Sequence, residues 1–167
     1  VNLGRIALIL AGAAGLEFLF GSSPYRGAWP VDWLLLATAI VARSGGFGRS
    51  VLTGAAAGLV EDALTESLLG LNAFAKAVIG YLLAFFSVRV MFGGALAVGG
   101  ALALCSLAND AIVAVLRSLL LDSPIVLGTP HALWRAIATG ATAGALEAAW
   151  SFPWREWRER RRLRRLR

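Results

Sequence analysis

Five carboxylates stand in or beside otherwise apolar stretches of this 167-residue sequence: Glu17, Glu61, Asp62, Glu66 and Asp110. Three cations, Lys76, Arg117 and Arg135, have similar surroundings. Asp62 and Glu66 are four apart and would share a helix face, but that spacing is common and does not by itself make an acid–base pair. The zinc-protease pattern His-Glu-x-x-His, a phosphate-binding Gly-rich loop, a Gly-x-Ser-x-Gly elbow and repeated Asp motifs are all missing. His131, the one histidine, follows Pro130 and reads as a surface residue. Cys105, the one cysteine, allows neither an internal disulfide nor a cysteine zinc cluster and reads as a small packing residue. The sequence therefore points away from an enzyme and calls for no cofactor or metal. The ionisable groups instead suggest an ion-paired polar cluster. Such a cluster can line a ligand pocket, line an ion path, meet a partner's polar residue, or simply join helices.

The elements that hold these groups must suit their surroundings. The chain is 58% hydrophobic, above the roughly 45–50% of a soluble domain. Its mean hydropathy is +0.71. At about 20 residues per membrane span, the length accommodates six spans and little more. The expected fold is therefore all-α: one polytopic domain of about six transmembrane helices over residues 1–153, then a basic segment over 154–167. The spans fall near Leu3–Phe20, Trp29–Ala42, Val51 onward, Ala73–Phe92, Ala95–Leu121 and Ala132–Phe152. Leu3–Phe20 is kept as a span rather than a cleaved signal because Gly21-Ser22-Ser23-Pro24 only loosely resembles a cleavage site. The second span is short, about 21 Å of helix. The third is uncharged only from Val51 to Val60 before it meets Glu61, Asp62 and Glu66. A loop is expected over Arg43–Arg49.

Six spans put both termini on one side. With that side cytoplasmic, 12 of the 16 basic residues face inward and four, Arg26, Lys76, Arg117 and Arg135, face outward, as the positive-inside rule favours. Eight of the inward set lie in Arg155–Arg167. In a chain this hydrophobic the natural partner of that basic tail is anionic lipid rather than nucleic acid. Trp154 and Trp157 share a helix face with Trp150, so the tail reads as an amphipathic helix on the inner leaflet, with Arg158, Arg161, Arg162 and Arg165 toward lipid headgroups. Trp29, Trp33 and Trp134 fall at the outer span ends, as interfacial tryptophans do. In this topology Glu17, Glu61, Asp62, Glu66, Asp110, Lys76, Arg117 and Arg135 all map to the outer half. Glu147 lies alone in the inner half, within reach of the tail arginines.

Thr53–Glu61 and Thr139–Glu147 match at six of nine positions. Each repeat carries small residues four apart, Gly54 with Gly58 and Gly140 with Gly144. Such faces let helix backbones approach closely, so spans 3 and 6 are expected to pack tightly, against each other or against a partner helix.

The stretch from Gly54 to Leu82 contains Gly58-Leu59-x-x-Asp62, then Leu69-Gly70-Leu71-Asn72-Ala73, then Gly80-Tyr81-Leu82. It resembles the MreD family of bacterial rod shape-determining membrane proteins, which carries these three elements in this order. Glu66 departs from the pattern, since relatives tend to have small residues in that turn. The resemblance implies a non-catalytic scaffold of the cell-elongation complex in the bacterial cytoplasmic (inner) membrane, supporting peptidoglycan synthesis. Implied partners are MreC through its transmembrane helix, a RodA-type glycosyltransferase with its class B penicillin-binding protein, and MreB. The family is similar in fold to the substrate-binding subunits of energy-coupling-factor transporters. A small-molecule (vitamin-type) transporter subunit is therefore the alternative, and Ala7-xxx-Ala11 in span 1 loosely resembles the docking face of such subunits.

Overall fold

The structure, a computed structural model, describes residues 3–21, 30–65, 68–89, 94–121 and 129–151. Among these residues the fold is wholly helical. The elements are α1 (Leu3–Gly21), α2 (Trp33–Gly45), α3 (Phe47–Leu64), α4 (Leu71–Arg89), α5 (Ala95–Leu121) and α6 (Pro130–Ser151). The expected amphipathic tail, with Trp154, Trp157, Arg158, Arg161, Arg162 and Arg165, lies outside the described residues, as do Glu66 and Trp29.

Two of these helices, over Leu3–Phe20 and Ala95–Leu121, are long and apolar enough to cross a membrane. Trp33–Arg43 and Leu71–Ser87 are shorter apolar helices. The loop expected over Arg43–Arg49 shrinks to Gly46 between α2 and α3. Gly46 has φ +74°, a backbone region that costs glycine nothing and so permits the abrupt turn. The polar residues on either side continue the helices, because backbone hydrogen bonding outweighs their modest local preferences. Helix α3 also runs on through Glu61 and Asp62 to Leu64.

Helix α2 is the hub, packing against α1, α3, α4, α5 and α6. Leu34, Leu35, Thr38 and Val41 are fully buried in it. One apolar cluster joins Leu35 and Leu36 to Ile79 and Leu83 of α4, Leu102 of α5 and Ala138 of α6. A second joins Leu34 and Ala37 to Ala13 of α1 and Ala57 of α3.

The small residues set the closest approaches. Helices α3 and α4 form an antiparallel hairpin in which a side chain at Gly54 or Gly58 would strike the backbone of Lys76 or Asn72. Gly80 meets the Ser50 carbonyl in the same way. Helices α5 and α6 form a second hairpin, where a Cβ on Gly140 would lie 2.6 Å from the Gly99 carbonyl oxygen. Gly144 faces Ala95 and Gly99. The two Gly-xxx-Gly faces therefore do not meet each other, and neither is open to a partner. Each is filled by the neighbouring helix of its own chain, because short connections favour hairpin packing.

Large apolar side chains point outward on every helix. Leu8, Ile40, Leu52, Phe74, Leu104 and Ile137 are at least half exposed, while the centre holds Asp32, Asp62, Lys76 and Asn109.

Candidate functional site

Every helix contributes one ionisable side chain to a single cluster at one end of the bundle. Glu17 comes from α1, Asp32 from the N-cap of α2, Glu61 from α3, Lys76 from α4, Asp110 from α5 and Arg135 from α6. The alternating up-and-down course of the helices makes this possible. Glu17 and Glu61 lie near helix C-termini, whereas Asp32, Lys76 and Arg135 lie near N-termini.

Four of the groups close into a ring. The Lys76 ammonium, fully buried, lies 2.5 Å from Asp32 Oδ2 and 3.0 Å from Glu61 Oε2. The Arg135 guanidinium reaches the same two carboxylates through Nη2, at 2.8 Å from Asp32 Oδ2 and 2.9 Å from Glu61 Oε1. Two anions and two cations thus neutralise one another. Pairing of this kind offsets part of the desolvation cost that buried charges carry. Arg135 Nη1 extends to Asp110 Oδ1 at 3.5 Å. Both Asp32 oxygens are engaged, since Oδ1 accepts the Leu35 N–H at 2.8 Å, whereas Glu61 Oε2 faces the Lys76 ammonium without a hydrogen bond among the described residues.

The same residues finish the start of α2. A helix leaves its first N–H groups without intrahelical partners, and a buried end must find others. Asp32 caps Leu35, Glu17 Oε2 accepts the Trp33 N–H at 3.2 Å, and Thr139 Oγ1 accepts the Asp32 N–H at 3.1 Å. The positive end of the α2 dipole also favours the carboxylates gathered there. This allows a short helix to begin below the surface of the bundle.

Asp62 has a different task, although it is adjacent to Glu61 and equally buried. Its carboxylate accepts the Gly70 N–H at 2.8 Å, the Asn72 N–H at 3.2 Å and the Asn72 Nδ2 amide at 2.8 Å. The Ala73 N–H lies 3.4 Å away. Asp62 therefore caps α4 from across the turn. Gly70, at φ +108°, lets the chain enter that cap. The Gly58-Leu59-x-x-Asp62 and Leu69-to-Ala73 elements thus interlock: Gly58 seats against Asn72, and Asp62 binds the backbone beside it. Leu59 itself points outward, as does Tyr81, whose ring packs on Phe47 at 5.6 Å between centroids.

Of the residues expected in an outer polar cluster, Glu17, Glu61, Lys76, Asp110 and Arg135 come together. Arg117 does not join them: it is exposed on α5, about two turns beyond Asp110. Glu147 pairs with Arg43 of α2 at the opposite end of the bundle, where a tail arginine was the expected partner. Trp33, expected at the outer interface, is half-buried and stacks on Phe20 at 5.8 Å.

Asp32 is the centre of the cluster and has no part in the sequence reading. Its signal is Pro30-Val31-Asp32-Trp33 directly before an apolar run, a helix N-cap pattern. Ser106, also missed, and Asn109 are buried on α5, and Ser106 Oγ and Asn109 Oδ1 have no hydrogen-bond partner among the described residues. Among the described residues no group of His, Cys, Asp and Glu is arranged to hold a metal ion. Between α2, α4 and α5 a pocket of about 30 Å³, lined by Ala39, Leu83, Val98 and Leu102, is apolar and has no room for a vitamin-sized molecule. No family model, curated protein or solved structure matches the chain.

Proposed function

We propose that this chain crosses the bacterial cytoplasmic membrane six times, with both termini inside, and serves as a non-catalytic scaffold of the MreD type. In that role it holds the transmembrane helix of MreC and supports the RodA-type glycosyltransferase, its class B penicillin-binding protein and MreB in peptidoglycan synthesis.

The observation that carries the reading is the α3–α4 hairpin. Gly58, Asp62, Gly70, Asn72 and Ala73 of the MreD-like motif, on either side of one turn, form one interlocked unit. The outward apolar side chains suit a lipid surround, and buried charges that are paired are the form in which a membrane tolerates them. The two central carboxylates are both paired with Lys76 and Arg135, which suits a structural role better than proton transfer.

Capture from solubilised membranes tests the proposal. Tagged protein co-expressed with MreC should recover MreC, and should not recover an MreC whose transmembrane helix is replaced by an unrelated one. Equal recovery of both, or of neither, would overturn the scaffold reading. Gly58→Leu is unsuitable as a probe of partner contact, because it would break the hairpin itself.

The transporter-subunit alternative draws on α1, where Gly12 and Gly15 have nothing within 4 Å and leave a bare helix face. A vitamin panel tests it by thermal shift. Ligand at 100-fold its dissociation constant should add about 2.7 kcal/mol, and no shift with any vitamin would remove it.

A further inference from the structure

The outer ends of α5 and α6 are not packed into the bundle. On α5 the buried residues are Gly99, Leu102, Ser106 and Asn109, a single seam, and nothing from Asp110 to Leu121 is buried. On α6 nothing before Ala136 is buried. Helix α2, on which both pack, begins at this same level, since its N-cap Asp32 pairs with Arg135. Beyond the ion cluster the α5–α6 hairpin therefore has no α2 to lie against. The charged groups at this step are partly open. The side chains of Arg135 and Asp110 are 21% and 24% exposed, whereas those of Lys76 and Asp32 are sealed.

In a six-span chain, lipid is a poor cover for that opening. Helix α5, with 27 residues, is about 40 Å long against about 30 Å of hydrocarbon. Asp110 lies about 16 Å from its outer end. Even if all the surplus length projected outward, Asp110 would stay about 6 Å inside the hydrocarbon boundary, and tilt would only deepen it. Ionised groups at such depth face the bundle interior or a water-filled cavity. The neighbouring residue points the same way. Asn109 is 1% exposed, yet neither its side-chain oxygen nor its nitrogen has a hydrogen-bond partner among the described residues. Buried amides are ordinarily satisfied, by water where the protein does not do it.

We infer that the step between the start of α2 and the outer turns of α5 and α6 is a water-filled recess. It opens to the outer face and admits small hydrophilic solutes down to Asp110 and Arg135. This rests on the six-span topology proposed above and adds what reaches the charged cluster: a sealed ion pair of Asp32 and Lys76, wetted at the Arg135 and Asp110 rim.

Cysteine labelling from the outer face of spheroplasts tests this. Cys105, the one native thiol, is first replaced by alanine. A membrane-impermeant trimethylammonium methanethiosulfonate is then applied to single variants that melt as the parent does. Asp110→Cys should react at least about tenfold faster than Leu104→Cys, because a thiol in water ionises and one in hydrocarbon does not. Leu104 is 69% exposed on α5 and serves as the lipid-facing control. If Asp110→Cys unfolds the protein, Val113→Cys reads the same space, since Val113 continues the Ser106–Asn109 seam one turn further out. Ser123→Cys, in the connection between α5 and α6, reports the topology. Labelling at Ser123 with none at Asp110 or Val113, or equal labelling at Asp110 and Leu104, would overturn the recess and leave the scaffold reading standing. No labelling of Ser123 from the outer face would overturn the topology, and the scaffold reading with it.

Discussion

Replacing Lys76 by methionine tests whether the ion cluster holds the bundle together. Methionine keeps most of the volume and removes only the ammonium. Two short contacts vanish, at 2.5 Å to Asp32 and 3.0 Å to Glu61. The closed ring then passes from neutral to one net negative charge, shared by two buried carboxylates that repel one another. Hydrogen bonds to charged groups contribute about 1.5–3 kcal/mol each, and breaking a buried pair by removing one partner costs about 3–5 kcal/mol. Lys76→Met should therefore destabilise the protein by about 3–5 kcal/mol. Adding Glu61→Gln should restore part of that loss, because the remaining Asp32 and Arg135 again balance. The assay is reversible unfolding in mixed detergent micelles, run as a double-mutant cycle with an expected coupling of about 1–3 kcal/mol. A single-variant loss below about 1 kcal/mol, or strictly additive losses, would refute the view that these charges act as one unit.

Gly58→Ala should cost about 1–3 kcal/mol or more, since the new methyl meets the Asn72 backbone; Gly15→Ala, with open space around it, should be neutral or gain up to about 1 kcal/mol of helix propensity in the same melts. Asp62→Ala removes the cap of α4 and should cost about 2 kcal/mol, at the upper end for a lost cap, with faster hydrogen exchange confined to the amides of Gly70, Asn72 and Ala73. Asp62→Asn, which retains one acceptor oxygen, should lose less. Arg43→Ala should cost at most about 1 kcal/mol, and added salt should shrink the effect, because the Arg43 side chain is 49% exposed and its pair with Glu147 is screened.

The helices were largely legible in the sequence because apolar runs and Gly-rich or Pro-rich breaks mark them. The span placed at Ala95–Leu121 coincides with α5. The Arg43–Arg49 loop was misread because its polar and glycine residues look like a breaker, whereas one positive-φ glycine performs the turn. Five members of the ion cluster stood out as charges in apolar surroundings. Asp32 did not, because it sits at a helix boundary where an aspartate is ordinary, and its importance comes from Lys76 and Arg135, 44 and 103 residues away. Arg117 was included on depth alone, since hydropathy fixes how deep a residue lies but not which side of the helix faces inward. The Gly-xxx-Gly faces were expected to pack on each other or on a partner helix, and each packs instead on the adjacent helix of its own hairpin. Spacing alone does not say which helix fills them, and connection length decides that in favour of the adjacent one.

The scaffold reading and the cost of the buried charges both require α2 and α3 to cross the membrane. α2, with 13 residues, is about 20 Å long, and α3 carries two buried acids near its end. Reporter fusions after Gly46 test this most directly. A six-span chain with its N-terminus inside places Gly46 in the cytoplasm, so a green fluorescent protein fused there should fluoresce and an alkaline phosphatase should be inactive. Fusions after Leu68 should show the reverse. Active phosphatase at both Gly46 and Leu68 would mean that α2 and α3 do not cross, and would contradict the account at its foundation.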